Sequence, residues 1–277
     1  MEKCLNDAQI RGYAENGFLA PIRVMSEDEA RAFRGRLEAC EKHLGGALES
    51  NLRHKVNLLF PWCDELIRHP KILDFVEDLI GPDILCWNVH LFAKEPDARS
   101  FVSWHQDSTY WGLEPSDVVT AWVALSEVSS ESGYMEVIPG THRVDQFPHI
   151  DTFHKDNLLS RGQEIAVSVD ESKAVGLKLH PGEMSLHHIK LVHGSKPNRS
   201  SDRRIGVAIR YMPTYVRQLR FRDSAMLVRG QDTHGNFDPE PRPSQDLGEA
   251  ELAAHMDSVN RVLSGLMEGT GKTQFRA

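Results

Sequence analysis

The residues whose types and spacing suggest chemistry are a histidine and an aspartate two positions apart, His105 and Asp107. On a β-strand, residues i and i+2 point to the same face, so both side chains would reach one metal ion. A third ligand must come from elsewhere in the chain, and His193, in the sequence Leu-Val-His-Gly-Ser, is the best candidate. Two histidines and one carboxylate form the facial triad that suits Fe(II) and leaves coordination positions open.

A His-x-Asp tripeptide also occurs by chance, and the chain holds 14 histidines. The residues that follow His193 strengthen the metal interpretation. Segment 194–202 has turn composition and predicts a connection that brings His193 and Arg204 side by side on antiparallel strands. Arg204 and Arg210 share one face of the second strand, with small residues between them. A buried arginine there is costly unless it pairs with an anion, and a guanidinium suits a ligand carboxylate.

The elements that would position these residues change in type along the chain. Residues near the N-terminus show capping signals and helical periodicity. Further along, short stretches rich in Val, Ile, Trp and Tyr alternate with turn residues, a pattern typical of an all-β sandwich or barrel. We predict one domain over 1–277, mainly β with flanking helices. Its three parts are a helical part over 1–82, a β core over 83–215, and a loop (222–248) and C-terminal helix within 216–277.

The composition disfavours several classes of function. The formal net charge is −8 and there is no basic block, which argues against a general nucleic-acid or anionic-membrane binder. The four cysteines lie far apart without a CxxC motif, as expected for free thiols in a reducing compartment. No signal peptide and no apolar run of membrane-spanning length is visible. We therefore predict a cytoplasmic protein, and its oligomeric state stays open.

At the residues that suggest a metal site, the sequence resembles the phytanoyl-CoA dioxygenase (PhyH) family of Fe(II)/2-oxoglutarate oxygenases. The similarity runs from about residue 7 to residue 214, with the motifs in the order and spacing of the family. The motifs that carry the similarity are the stretches 102–107 (VSWHQD), 132–142 (SGYMEVIPGTH), 193–195 (HGS) and 198–204 (NRSSDRR).

This resemblance implies a double-stranded β-helix, the jelly roll of cupin-like proteins. It assigns iron to the three ligands above and the far carboxylate of 2-oxoglutarate, the co-substrate, to Arg204. It also places Trp122 and Ser195 near the oxoacid, although Trp122 could be a core residue and Ser195 could only shape its turn. Halogenating relatives have a small residue in place of the metal-binding carboxylate. Since Asp107 is present here, hydroxylation is favoured over halogenation.

The residues around the predicted metal site suggest a substrate that is small, polar and anionic. Asn88 and His90 point the same way on an early strand, Tyr110 follows the His-x-Asp motif, and Arg210 shares the face of Arg204. Arg210 could instead pair with an acidic residue of the protein. A polar cluster over 53–57 and the pair at 187–188 are further candidates, the latter more simply explained as one packed and one solvated ring.

We therefore predict a hydroxylase that consumes dioxygen and 2-oxoglutarate and releases succinate and CO2. An aminoalkyl phosphonate or an amino acid would be a suitable substrate. An acyl-CoA or carrier-tethered acyl substrate is the alternative, although the sequence shows no basic cradle for coenzyme A. A non-enzymatic alternative is a metal-binding β-barrel without turnover.

Overall fold

The computed structural model of the chain describes residues 3–272. Its helices are α1 (Asp7–Asn16), α2 (Glu27–Leu44), α3 (Pro61–Ile67), α4 (Pro70–Ile80), α5 (Ser108–Trp111) and α6 (Glu249–Leu266). Its strands are β1 (Phe18–Arg23), β2 (Ile84–Lys94), β3 (Val102–His105), β4 (Leu113–Glu114), β5 (Val119–Ala124), β6 (Met135–Ile138), β7 (His149–Asp151), β8 (Gln163–Ile165), β9 (Val175–Leu177), β10 (Glu183–His188), β11 (Val192–Ser195), β12 (Arg204–Pro213), β13 (Arg217–Gln218), β14 (Ser224–Arg229) and β15 (Asp238–Pro239).

Two β-sheets form the body of the protein. The major sheet has the strand order β1-β10-β5-β12-β2-β14-β15, and the minor sheet has the order β3-β11-β6-β9. Side chains from both sheets line one internal cavity, so the sheets enclose a common interior. This is the double-stranded β-helix with flanking helices that the sequence predicts, and the predicted fold class is confirmed.

The helices cover the outer face of the major sheet. Helix α2 begins with the predicted capping box between Ser26 and Glu29, and α4 starts at Pro70 and ends at Gly81. Apolar residues of α2 and α4 pack in one core with the outward side chains of β12, such as Val207 and Ile209. Because the opposite face of β12 points into the sheets' interior, this strand is buried along its whole length.

The structure differs from the predicted division into three parts. Strand β1 lies within the part predicted to be helical and pairs with β10. Strand β14 lies within 222–248, the predicted surface loop, and pairs with β2. Ser224 and Met226 are buried on β14. The strand is short and has polar residues on both sides, so the sequence shows no clear apolar alternation there. All three parts therefore contribute strands to the major sheet, and the single-domain organisation stays a prediction.

The helices of the described region do not resemble membrane spans. Within residues 3–272, none combines the length and the apolar character required to cross a bilayer.

Gly206 on β12 leaves room for the Trp122 ring, which gives a testable prediction. A Cβ atom at position 206 would lie 1.8 Å from Trp122 Cζ2, so Gly206→Ala must displace the ring or the strand. We expect the free energy of unfolding to fall by about 1–3 kcal/mol, as for other overpacked cores, measured by urea denaturation.

Gly35→Ala is the matched control, because a Cβ atom added at Gly35 on α2 would meet nothing within 4 Å in the described part of the chain. This control should be neutral or raise stability by up to about 1 kcal/mol. Equal effects of the two substitutions would contradict the proposed packing.

Candidate active site

Strands β3 and β11 bring the two predicted histidine ligands together. They pair antiparallel with His193 directly opposite His105, and ligand atoms of His105, Asp107 and His193 lie within 4.8 Å of one another. The prediction that Asp107 lies on the strand is wrong, because β3 ends at His105 and Asp107 has helical dihedral angles at the start of α5. The turn, and not the alternation of a strand, brings its carboxylate Oδ1 within 3.3 Å of His105 Nε2.

Backbone carbonyls fix the orientation of both imidazole rings. His105 Nδ1 lies 2.9 Å from the carbonyl oxygen of Ser103 and 3.1 Å from that of His193. His193 Nδ1 lies 2.9 Å from the carbonyl oxygen of Leu191. Since a carbonyl oxygen only accepts, each Nδ1 carries the hydrogen and each Nε2 keeps a free lone pair. Such outer contacts are those that commonly orient histidines on metals.

The ionisation states of the cluster also suit a cation. Burial and the neighbouring His105 lower the pKa of His193 to about 4, so this ring is neutral at physiological pH. Burial alone would raise the pKa of the Asp107 carboxyl. The nearby His105, His193 and Arg210 outweigh that effect and hold this pKa well below its ordinary value. Two histidines and one carboxylate are the donor set of a facial triad.

A first cavity of about 40 Å³ opens from the cluster into the interior. The predicted oxoacid contacts Arg204, Ser195 and Trp122 all line it, together with the three clustered residues. Its other lining residues are Phe92, Val102, Thr120, Met135, His187, Gly194, Ala208 and Arg210.

Arg204 is a buried positive charge in this cavity. Its side chain is 2% exposed, and its guanidinium carbon lies 5.2 Å from the centre of the Trp122 ring. Burial and the charge of Arg53 lower the pKa of Arg204 to about 10, which still leaves it charged at neutral pH. Its Nε has no hydrogen-bond partner among the described residues. Buried polar groups are rarely left without partners, so this cavity is suited to an anionic ligand.

Arg204 reaches the cavity by a route other than the predicted one. The segment after His193 does not join two paired strands, because β11 belongs to the minor sheet and β12 to the major sheet. The segment instead crosses between the sheets, so that His193 and Arg204 face the same interior from opposite sides. The alternation predicted for β12 is present, since Arg204, Ala208 and Arg210 all line the first cavity.

A second cavity of about 40 Å³ adjoins the first at Asp107. The two cavities share Phe92, Asp107 and Arg210. Asn88 and His90, both predicted to contact substrate, line the second cavity. Its other lining residues are His54, Trp87, Trp111, Leu158, Leu159, Ser160, Gln163 and Leu266.

Arg210 lies where the two cavities meet. Its guanidinium packs between aromatic rings, 5.9 Å from the centre of Phe92 and 5.3 Å from that of Trp111. Its Nη1 donates to the carbonyl oxygen of Ala208 at 3.1 Å, and its Nε has no partner in the part of the chain that the structure describes. Burial lowers the pKa of Arg210 and the charge of Asp107 opposes this. Among residues 3–272, no carboxylate forms an ion pair with Arg210, so the alternative of an internal acidic partner is not supported.

Histidines make up one wall of the second cavity. The His54 and His90 rings lie 4.0 Å apart between centres, and burial lowers the pKa of both well below the ordinary value. Both rings are therefore neutral at physiological pH. His54 belongs to the polar cluster over 53–57, but its contact with His90 could not be predicted because the two residues are 36 positions apart in sequence.

Tyr110 lies outside the linings of both cavities. Its hydroxyl donates to Asp151 Oδ1 at 2.8 Å, and burial together with this hydrogen bond raises its pKa to about 12. The residue thus supports the neighbouring hairpin of β7 and β8. Conversely, His187 faces the first cavity, while His188 packs against His142, so the pair is split between the site and the framework. The pairing of β10 with β5 decides which ring turns inward.

The second cavity is closed by segment 158–163 and by the end of α6. Arg161 links these elements, with Nε 2.8 Å from Asp151 Oδ2 and Nη1 3.1 Å from the carbonyl oxygen of Leu266. Its guanidinium carbon also lies 4.1 Å from the centre of the Tyr110 ring. Composition gives no indication of this closure, because it depends on residues more than 100 positions apart.

Comparisons with known proteins agree with this arrangement. The sequence model of the phytanoyl-CoA dioxygenase family matches residues 13–206. The peroxisomal phytanoyl-CoA dioxygenase of Rattus norvegicus is 28% identical over 227 residues, which cover 73% of this chain and 67% of that protein. A probable alpha-ketoglutarate-dependent hypophosphite dioxygenase of Stutzerimonas stutzeri is 29% identical over 70% of this chain and 65% of its own length, slightly under two thirds. The solved apo structure of a non-heme monooxygenase, ThoJ, has 33% identity and a TM-score of 0.82, covering 93% of this chain and 97% of that one.

The fold, the donor set and these similarities define an Fe(II)- and 2-oxoglutarate-dependent dioxygenase. The chain belongs to the phytanoyl-CoA dioxygenase (PhyH) family. The predicted enzyme class and its cofactors, Fe(2+) and 2-oxoglutarate, are confirmed. Membership of this family argues against a metal-binding barrel without turnover.

The Arg161 contacts predict that one substitution will loosen the closure of the second cavity. In Arg161→Met, the segment 145–165 and the end of α6 should exchange amide hydrogens at least about tenfold faster, because low local stability allows opening. Hydrogen–deuterium exchange with mass spectrometry measures this. Arg31→Met, which removes an exposed arginine paired with Asp28 on α2, is the control and should exchange like the wild type. Unchanged exchange in Arg161→Met would show that other contacts hold the segment.

Proposed function

We propose that His105, Asp107 and His193 bind the iron and that the enzyme hydroxylates a small anionic metabolite. The observation that carries this proposal is that the two cavities meet at Asp107, one of the clustered residues. An ion held there would be accessible from both cavities. The donor atoms fit Fe(II), because both histidine Nε2 atoms are free and the Asp107 carboxylate is ionised.

We assign the first cavity to 2-oxoglutarate. Arg204 would pair with the far carboxylate, a contact for which its planar guanidinium is suited. Ser195 offers its hydroxyl to the same end of the cavity, and Trp122 supports the guanidinium through its ring. When bound, iron and 2-oxoglutarate supply the oxidative decarboxylation that activates dioxygen and yields succinate and CO2.

We assign the second cavity to the substrate. Arg210 supplies a positive charge that no acidic side chain within residues 3–272 neutralises by an ion pair, and Asn88 and His90 supply polar groups that can accept or donate hydrogen bonds. Trp111 and Leu266 add apolar surface to the lining. This set favours a small acid, such as an amino acid or an aminoalkyl phosphonate. The hypophosphite dioxygenase among the relatives is named for a small anion.

An acyl-CoA or carrier-tethered acyl substrate is the second candidate. The similarity to phytanoyl-CoA dioxygenases favours it. The net charge of −8 disfavours it, because a coenzyme A thioester needs compensation for its phosphates. Within this alternative, segment 158–163 would have to open to admit the acyl chain.

The assignment of the metal ligands predicts the behaviour of Asp107→Ala. This variant loses one of three ligands, and its affinity for Fe(II) should fall by at least ~100-fold, since even contacts outside the ligand set change metal affinity 10–100-fold. Anaerobic equilibrium dialysis with Fe(II) measures this. Asp145→Ala removes an exposed aspartate and should bind iron like the wild type. Wild-type iron affinity in Asp107→Ala would mean that the ion lies elsewhere.

The assignment of the substrate cavity predicts a selective effect of Arg210→Met. We would first screen small amino acids, aminoalkyl phosphonates and acyl-CoA esters for substrate-triggered succinate release by the wild-type enzyme. For an acid that triggers turnover, KM should rise at least about tenfold in Arg210→Met, because a charge-assisted contact worth about 1.5–3 kcal/mol is lost. Arg143→Met changes an arginine outside both cavity linings and serves as control. Turnover of only acyl-CoA esters would favour the second candidate.

A further inference from the structure

Lys94 is a buried lysine behind the first cavity that the proposed reaction leaves without a role. It is the last residue of β2 and lies directly opposite Arg204 in the pairing of β2 with β12. Its side chain is 0% exposed. Its Nζ donates to Ser195 Oγ at 2.7 Å and to the carbonyl oxygen of Lys196 at 2.5 Å. These contacts tie the end of β11, in the minor sheet, to the edge of the first cavity in the major sheet.

The backbone around Lys94 is also held firmly. Asn198 Nδ2 donates to the carbonyl oxygen of Lys94 at 3.0 Å and to that of Asp202 at 2.8 Å. Asn198 is itself 0% exposed. The position of the lysine amine relative to Ser195 is therefore determined by contacts on both its backbone and its side chain.

No acidic group of the described region balances this corner of the protein. The cations that face it are Lys94 itself, Arg204 and, further out, Arg53, which donates to the carbonyl oxygen of Ala93. The neighbouring acids are engaged elsewhere, since Glu95 pairs with Arg203, Asp202 with Arg34 and Glu136 with Lys196. Among residues 3–272, no carboxylate forms an ion pair with Lys94 or Arg204.

Two adjacent buried cations without an acid repel each other and lose hydration. Burial and the charge of Arg204 lower the pKa of Lys94 to about 5. At neutral pH the amine is therefore uncharged, and its two hydrogens match its two acceptors, Ser195 and Lys196. Because Ser195 accepts from Lys94, its own hydroxyl hydrogen is left to point into the cavity, toward the place proposed for the far carboxylate.

We propose that Lys94 is a positioning residue for 2-oxoglutarate, which orients Ser195 and takes up one proton from solvent when the dicarboxylate binds beside Arg204. This inference rests on the proposed role of Arg204. The carboxylate supplies the negative charge that the corner lacks, so it stabilises the ammonium form. A new N–H bond forms at Nζ, and the proton comes from the acid form of the buffer, whose own bond to that hydrogen breaks. The added positive charge strengthens the pocket's attraction for the ligand.

The linked pH dependence has a definite sign. In the free enzyme the amine is protonated only below about pH 5, and in the complex its pKa is raised. Between these two pKa values binding takes up a proton, so the Kd for 2-oxoglutarate increases as the pH rises, by up to about tenfold per pH unit. Below the lower pKa and above the higher one, Kd does not depend on this group.

The test is isothermal titration of 2-oxoglutarate into the enzyme loaded with Mn(II), at about pH 7.5, in two buffers that differ in ionisation enthalpy. For the wild type we expect an uptake of close to one proton per ligand bound. In Lys94→Met the uptake should be lost and Kd should rise about 10–100-fold, equivalent to about 1.4–2.7 kcal/mol, with Mn(II) affinity unchanged. Lys173→Met removes an exposed lysine paired with Asp170 and should reproduce the wild-type values.

Two results would overturn the inference, namely no proton uptake by the wild type or undiminished uptake by Lys94→Met. If Lys94→Met does not fold, the wild-type Kd measured from about pH 6 to pH 8.5 decides, and a flat profile rejects proton uptake. Arg204→Met separates this inference from the proposed function. Wild-type binding of 2-oxoglutarate by Arg204→Met would show that the cavity itself is misassigned, whereas a failure confined to the Lys94 experiments leaves the Arg204 assignment standing.

Discussion

The structure depends on the requirement that β12 bury two chemically different faces. Its outward residues, including Val207 and Ile209, pack under the helices, while its inward residues place Arg204 and Arg210 in the interior. Burial of apolar area stabilises the first face by about 25 cal/mol per Å². The second face costs free energy, because guanidinium groups leave water without forming an ion pair with any carboxylate of residues 3–272. The apolar face thus offsets the cost of a cationic interior that is built for anionic ligands.

The two sheets divide the chemistry between them. The minor sheet supplies His105 and His193 on paired strands, and the major sheet supplies the arginines. Asp107 lies between the two cavities because the chain turns into α5 directly after β3. An ion bound by these three residues would therefore have co-substrate on one side and substrate on the other. Such an arrangement lets the two organic ligands be recognised by separate cations, which keeps their binding sites distinct.

A buried polar network positions the C-terminal helix beside the second cavity. Lys55 Nζ lies 2.6 Å from Glu240 Oε1 and 3.1 Å from the carbonyl oxygen of Ser224, and Ser224 contacts Ser258 of α6 at 2.8 Å. Breaking one partner of a buried ion pair typically costs about 3–5 kcal/mol. This network and the Arg161 contacts together hold the end of α6 against the second cavity. Lys55 pairs with the acid Glu240, whereas no carboxylate of the described region forms an ion pair with Lys94. We therefore assign Lys55 a structural role, and we infer that Lys94 responds to the charge of a bound ligand.

Several features of the protein follow from the sequence because they obey local rules. The capping box of α2, the Pro70 start of α4 and the alternation along β12 depend only on neighbouring residues. The types of the proposed metal ligands, and the motifs shared with a known family, can also be read from the sequence, and they predict the enzyme class and its cofactors.

Other features are decided by the tertiary structure alone. His105 and His193 are 88 positions apart, and only strand pairing makes them neighbours. The same holds for Lys94 behind Ser195, for His54 beside His90 and for the closure by Arg161. The sequence predicts that Tyr110 contacts substrate. In the structure its hydroxyl donates to Asp151, which lies on the β7–β8 hairpin, and no periodic pattern in the sequence indicates that hairpin. Whether a buried arginine has an acidic partner, and which face of a strand turns inward, depends on register and packing between distant segments. Those long-range contacts are not encoded in the spacing of neighbouring residues.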